Sequence, residues 1–136
     1  MEFTPAQRQR IAEIAERHHL DLVVLFGSTA RGRAHAQSDV DVAVRASSRC
    51  DFDVLDAIER DVRAVVGRAA DVVDLRTAPP LLAGRIARDG VLLTGDPKAF
   101  ARLRMELIAR HLDFLPFLRF RGDVLRRTFR PRTEPV

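Results

Sequence analysis

Between residues 22 and 44 two short apolar stretches flank a polar segment, and few folds accommodate the residues at its two ends. Leu22-Val23-Val24-Leu25-Phe26 runs into Gly27-Ser28, and after ten intervening residues Asp39-Val40-Asp41 opens a second stretch in which valines alternate with Asp39, Asp41 and Ala43. The apolar run and the alternation predict two strands, residues 22–26 and 39–45, on either side of a turn. Side chains two apart on a strand share a face, so Asp39 and Asp41 point the same way and repel unless a cation lies between them. Mg²⁺ is the natural occupant, because it takes one or two protein carboxylates and completes its octahedron with water and nucleotide phosphates. Gly27 and Ser28 open onto Thr29-Ala30-Arg31, which can begin a helix, and backbone N–H groups with a hydroxyl there suit a phosphate.

Composition bounds the remainder. A chain of 136 residues has enough material for one core, and no second catalytic domain is expected within it. It contains no apolar run of 18 residues, and its polar start reads as an amphipathic helix rather than a signal peptide, so a soluble, cytoplasmic protein without a membrane partner is expected. The only cysteine, Cys50, excludes an internal disulfide and reads as a small residue near a loop. Charge is uneven: residues 1–96 carry 13 basic and 15 acidic side chains, residues 97–136 carry 10 and 4. Lys98 is the sole lysine, and so general an arginine choice reflects genome composition, which removes the basic balance as an argument for nucleic acid. A solvated basic helix and tail, or a surface for an acidic partner, accounts for it instead.

The other elements follow from periodicity and caps. Thr4, with Pro5 at the first helical position, predicts a helix to about His18 that packs on the sheet. His18 and His19 suit its C-terminal end rather than a metal. Apolar positions from Val54 to Val66 predict a helix over residues 52–66, capped by Asp51 or Asp53 and ended by Gly67. Residues 70–75 then form a third strand, parallel to the second because a helix crosses between them. A short helix follows Pro79-Pro80, a small strand spans residues 90–95, and an amphipathic helix carries Phe100, Leu103, Leu107, Ile108, Leu112 and Leu115 until Pro116 stops or kinks it. The expected organisation is a domain over 1–96, a C-terminal helix and basic segment over 97–130 packing on it or on a partner, and a flexible tail over 131–136. Three phenylalanines between residues 114 and 120 either cover the open side of the sheet or dock on another protein. His35, in the turn, reads as a loop residue.

The stretch from Gly27 to Asp41 resembles, without a gap, the signature of DNA polymerase β-type nucleotidyltransferases, and in particular their minimal bacterial branch, the MNT domains: Gly-Ser, ten residues, Asp-x-Asp. Pro79-Pro80-Leu81-Leu82 and the glycine-led apolar run after it are similar to the same family. The resemblance implies an α/β (α+β) fold, a small mixed β-sheet with helices packed on it. It implies that Asp39 and Asp41 bind Mg²⁺ and act in catalysis, with a third carboxylate from the third strand. Asp71 is the candidate for that third acid and Asp74 the alternative, since residues three apart on a strand cannot share a face. Gly27 and Ser28 would hold the ATP triphosphate, and Arg31, in the family's Ala-Arg-Gly form, would offset its charge. MNT chains of this size resemble the antitoxin half of HEPN/MNT modules, which implies transfer of AMP from ATP to a tyrosine of a HEPN toxin partner in a hetero-oligomer. Two alternatives stand beside it: an antitoxin or regulatory module that occludes its partner without catalysis, and nucleotidyl transfer to RNA or a small molecule. Arg104 and His111 have the R-x₆-H spacing of HEPN ribonucleases, but too little chain surrounds them for a helical bundle, and the spacing is attributed to abundant arginine.

Overall fold

The computed structural model describes residues 2–30, 32 and 39–128, with residues 117–128 described as backbone. Arg31, His35 and residues 131–136, each given a reading above, lie outside the described residues, as do the side chains of Phe117 and Phe120.

A four-stranded mixed sheet, in the order β3-β2-β1-β4, divides the molecule. β1 (Leu20–Phe26) runs antiparallel to β2 (Val40–Ala46) on one side and to β4 (Val91–Gly95) on the other, while β2 and β3 (Ala70–Asp74) are parallel. The parallel pair is connected by α3 (Phe52–Val66), the crossover that such a pairing requires. β1 starts two residues before the expected position. Leu20 is buried and Asp21 exposed, so the strand begins with an alternation that interrupts the apolar run, and His19, at φ 56°, turns the chain into it.

Alternation sends the two faces of the sheet into separate cores. Val23, Leu25, Val40, Val42 and Val44 pack beneath α1 (Pro5–Arg17) and α3 through Ile11, Ile14, Ile58 and Val62. Leu22, Val24, Phe26 and Ala43 pack on the opposite side, under α4 (Pro80–Asp89) and α5 (Pro97–Thr128), against Ala83, Ile86, Phe100, Leu103 and Leu107. Burial on both faces explains why β1 reads as a continuous apolar run.

Local chemistry sets the helix ends. The Thr4 hydroxyl accepts from the Gln7 amide at 3.1 Å and the Gln7 side chain accepts from the Thr4 amide at 3.0 Å, a reciprocal pair that satisfies two otherwise orphaned donors. The Asp51 carboxylate accepts from the Val54 amide at 2.9 Å, and Gly67 closes α3 at φ 70°, where a side chain would be strained. Pro116 does not stop α5, contrary to one of the two outcomes expected of it; the helix continues to Thr128. A proline removes only its own amide bond and crowds one turn, and the helix resumes on its own i→i−4 pattern beyond it.

α1 and α3 are joined at the surface by Asp61, whose carboxylate accepts from His18 Nε2 at 2.8 Å and Arg17 Nη1 at 3.0 Å. The hydrogen bond from His18 is the main cause holding the Asp61 carboxyl below its ordinary pKa; burial, the next largest cause, opposes it, and Arg17 adds to the lowering. A carboxylate with a lowered folded-state pKa stabilises the fold fully above its unfolded value of about 3.9, and that contribution fades as the pH falls through the lowered value. Asp61→Asn is expected to destabilise the protein by about 0.5–1 kcal/mol at pH 7. In urea melts that difference should narrow progressively below about pH 4.

Candidate active site

The predicted pair and its third partner meet where β1 ends. Phe26 opposes Asp41 in the antiparallel ladder, and Asp71 opposes Asp41 in the parallel one. Asp41 shares the parity of Ala43 on β2, and Asp71 that of Val73 on β3, so both carboxylates stand on the α4/α5 face of the sheet, on strands about 4.8 Å apart. Asp39 immediately precedes β2 and is exposed, as is Asp71, whereas Asp41 is half-buried.

This placement makes Asp41 hard to ionise. Burial is the largest cause raising its pKa, followed by the Asp71 charge; Asp39 adds to the rise, and Arg85 opposes it. A half-buried carboxylate facing two other acids is a site that a divalent cation would relieve. Among the described residues no three acidic, histidine or cysteine side chains already form a complete metal cage. The donor set nevertheless fits Mg²⁺, which seldom uses an all-protein cage and leaves positions for water and phosphate oxygens.

Gly27 brings backbone to the carboxylates. It begins α2 (Gly27–Ala30) at φ 77°, and a Cβ placed on it would collide with Asp41 Oδ2. Only glycine satisfies both the dihedral and the close approach. Ser28 is half-buried beside it, and Thr29 is buried, its hydroxyl donating to the Phe26 carbonyl at 3.4 Å. The structure thus brings Gly27, Ser28, Asp39, Asp41 and Asp71 to one corner.

The alternative third acid is placed elsewhere. Asp74 is 4% exposed, and its two carboxylate oxygens accept from the amides of Cys50 and Arg76, each at 2.9 Å. It faces the α1/α3 side and ties the segment before α3 to the end of β3. Cys50 is buried there, its thiol pKa raised first by burial and next by Asp74, so it is a poor nucleophile and fits its reading as a small packing residue. The Arg104 guanidinium donates to the Gly90 carbonyl at 2.8 Å and stacks over Phe100, while His111 Nδ1 lies 3.2 Å from the Pro80 carbonyl. Both of these residues join α5 to the segments around α4, and their ribonuclease-like spacing is a packing arrangement.

Arg85 is the residue that sequence reasoning missed. It projects from α4, between the apolar positions Ala83 and Ile86, and its charge acts on Asp41. An exposed arginine on an amphipathic helix carries no local signal in so arginine-rich a chain; only the packing of α4 on the sheet selects it.

Comparison with known proteins identifies the family and the fold. Residues 9–98 match the family model described as polymerase beta, nucleotidyltransferase. Protein adenylyltransferase MntA of Shewanella oneidensis is 33% identical over 85 residues, which cover 60% of this chain and 61% of that protein, so the match spans about three fifths of the relative's length. A chain from the crystal structure of a toxin–antitoxin complex with AMP-PNP superposes with a TM-score of 0.76 at 24% identity, covering 87% of this chain and 98% of the other. A chain from the complex of a tri-AMPylated Shewanella oneidensis HEPN toxin with its MNT antitoxin gives a TM-score of 0.71 at 21% identity, covering 88% and 97%. These structural likenesses carry the fold, and the family model covers well over half of the sequence: the chain belongs to the polymerase β-type nucleotidyltransferases.

Proposed function

We propose that this protein is a magnesium-dependent nucleotidyltransferase that moves AMP from ATP to a tyrosine hydroxyl of a HEPN-type toxin, and thereby acts as the antitoxin of that partner. The observation that carries the reading is the corner in which the Gly27 main chain abuts the Asp41 carboxylate while Asp71 faces it from the next strand. Support for the protein acceptor comes from the MntA relative, named for protein adenylylation, and from the AMPylated toxin in the similar complex.

In this reading Asp39, Asp41 and Asp71 hold the metal, and Gly27 and Ser28 bind the triphosphate through main-chain amide and hydroxyl. Arg31 offsets part of the phosphate charge. Bound magnesium supplies positive charge to the phosphate oxygens and lowers the pKa of the attacking hydroxyl. The acceptor oxygen forms a bond to the α-phosphorus as the bond to the bridging oxygen breaks, and pyrophosphate leaves. Asp71, more exposed than Asp41, orients the acceptor hydroxyl and takes its proton. Arg85 opposes the rise in Asp41's pKa and so favours the ionised form that a metal would bind. Among the described residues no helix is long and apolar enough to cross a membrane, which is compatible with a partner met in the cytoplasm.

Incubation with labelled ATP, Mg²⁺ and the product of the adjacent gene should place label on a tyrosine of that protein, located by mass spectrometry. Label-free binding would replace transfer with occlusion, and label appearing on RNA instead would replace the acceptor. Asp41→Asn is expected to lower transfer by roughly 10³-fold, equivalent to about 4 kcal/mol. The same variant should be more heat-stable than the wild type in EDTA at neutral pH. A raised folded-state pKa means that no penalty exists below about pH 3.9 and that the penalty grows as the pH rises through the raised value, so the gain should vanish in acid. Gly27→Ala is expected to weaken magnesium-dependent ATP binding at least tenfold by calorimetry, and to cost about 1–2 kcal/mol of stability in urea melts, because it combines a strained φ with the collision at Asp41.

A further inference from the structure

Four residues along β2 from Asp41, about 13 Å at strand rise, Arg45 lines a second concavity on the same face of the sheet. The hollow, about 140 Å³, lies between the sheet and α5 and is completed by Leu75, Arg76, Leu103, Glu106 and Arg110. Three guanidinium groups, from β2, from the segment after β3 and from α5, therefore share one small space with a single carboxylate.

Two of the three are held in place. Arg76 donates from Nε and Nη2 to the Ala46 carbonyl at 2.9 and 2.7 Å, and from Nη2 to the Ser47 carbonyl at 3.0 Å. Arg110 donates from Nη1 to the carbonyls of Leu75 and Ala78 at 3.3 and 2.9 Å. Each guanidinium is fixed by backbone on one side and keeps N–H groups for another acceptor. Among the described residues neither Arg45 nor Glu106 makes an ion pair. Guanidinium groups stay charged, so the cluster repels itself, and the apolar floor of Leu75 and Leu103 reduces solvent screening of that repulsion.

We propose that this hollow is a subsite for a phosphoryl group, separate from the carboxylate corner. Three guanidiniums and one carboxylate leave two positive charges, which match a phosphate monoester dianion at neutral pH better than a carboxylate. The forked donors suit phosphate oxygens, and the volume falls well below the roughly 300 Å³ of a pocket that encloses a whole small molecule. The phosphoryl group enters and any remainder of the ligand stays outside. Free inorganic phosphate and a nucleoside 5′-monophosphate present the same chemistry to it.

The test is an NMR titration of the full chain in EDTA, where the acidic corner repels anions, using inorganic phosphate, AMP, adenosine and acetate. Phosphate and AMP should shift the resonances of Arg45, Arg76 and Arg110, and adenosine and acetate should not. Tighter binding of AMP than of phosphate would identify the nucleotide as the source, and equal binding the free ion; either outcome supports the subsite. Arg45→Gln should weaken binding at least tenfold without lowering the melting temperature. Glu106→Gln, which removes the competing charge, should tighten it severalfold, a gain that a purely structural role would not produce. Absence of phosphate binding in the millimolar range, equal binding by Arg45→Gln, or shifts confined to the residues around Gly27 and Asp41 would each overturn the proposal.

Discussion

Electrostatic repulsion between Asp41 and Asp71 is the constraint around which the active corner is arranged. Parallel pairing of β2 with β3 sets the two carboxylates opposite one another, and no rotation of the chain within that register separates them by a full strand. The fold tolerates the cost because the pairing is fixed elsewhere, by Val42 and Val44 buried beneath α1 and α3 and by the Asp74 carboxylate bridging two amides at the end of β3. A corner of like charge held by such a frame is already organised for divalent cations and polyphosphate, since little must move when they arrive.

Division of labour between the two faces follows from the same alternation. Residues of even number on β2 build the α1/α3 core, and those of odd number build the face that carries Asp41, Ala43 and Arg45. One strand therefore presents an acidic end and a basic end to the same side of the sheet, with Ala43 buried between them. The helices covering this side contribute the counter-charges: Arg85 from α4 near the acidic end, Glu106 from α5 near the basic one.

Much of this was legible in the chain itself, because the relevant signals are local. The Gly27-Ser28 and Asp39-Val40-Asp41 spacing, the alternation of valines and the caps at Thr4, Asp51 and Gly67 each state a backbone geometry within a few residues. Asp71 was preferred to Asp74 from the sequence, but which of the two shares the face of Asp41 and which is tied up by amides is visible only in the fold, since both flank the same pair of valines. Arg85 and the Arg45–Arg110 hollow were illegible for a related reason: they arise from contacts between residues distant in sequence, in a chain where arginine is common. Of the two outcomes Pro116 allowed, a stop does not occur, because the helix on both sides of it is long enough to outlast one missing bond.

The order β3-β2-β1-β4 leaves β3 at the margin of the sheet, with one side of its backbone unpaired by any other strand among the described residues. Such margins invite adventitious joining of molecules, and natural sheets discourage it with short strands and charge. β3 has five residues, and Asp71 and Asp74 occupy two of them. Asp71 thus has a second consequence as a guard against sheet-to-sheet association, so an apolar replacement there would change colloidal behaviour as well as chemistry.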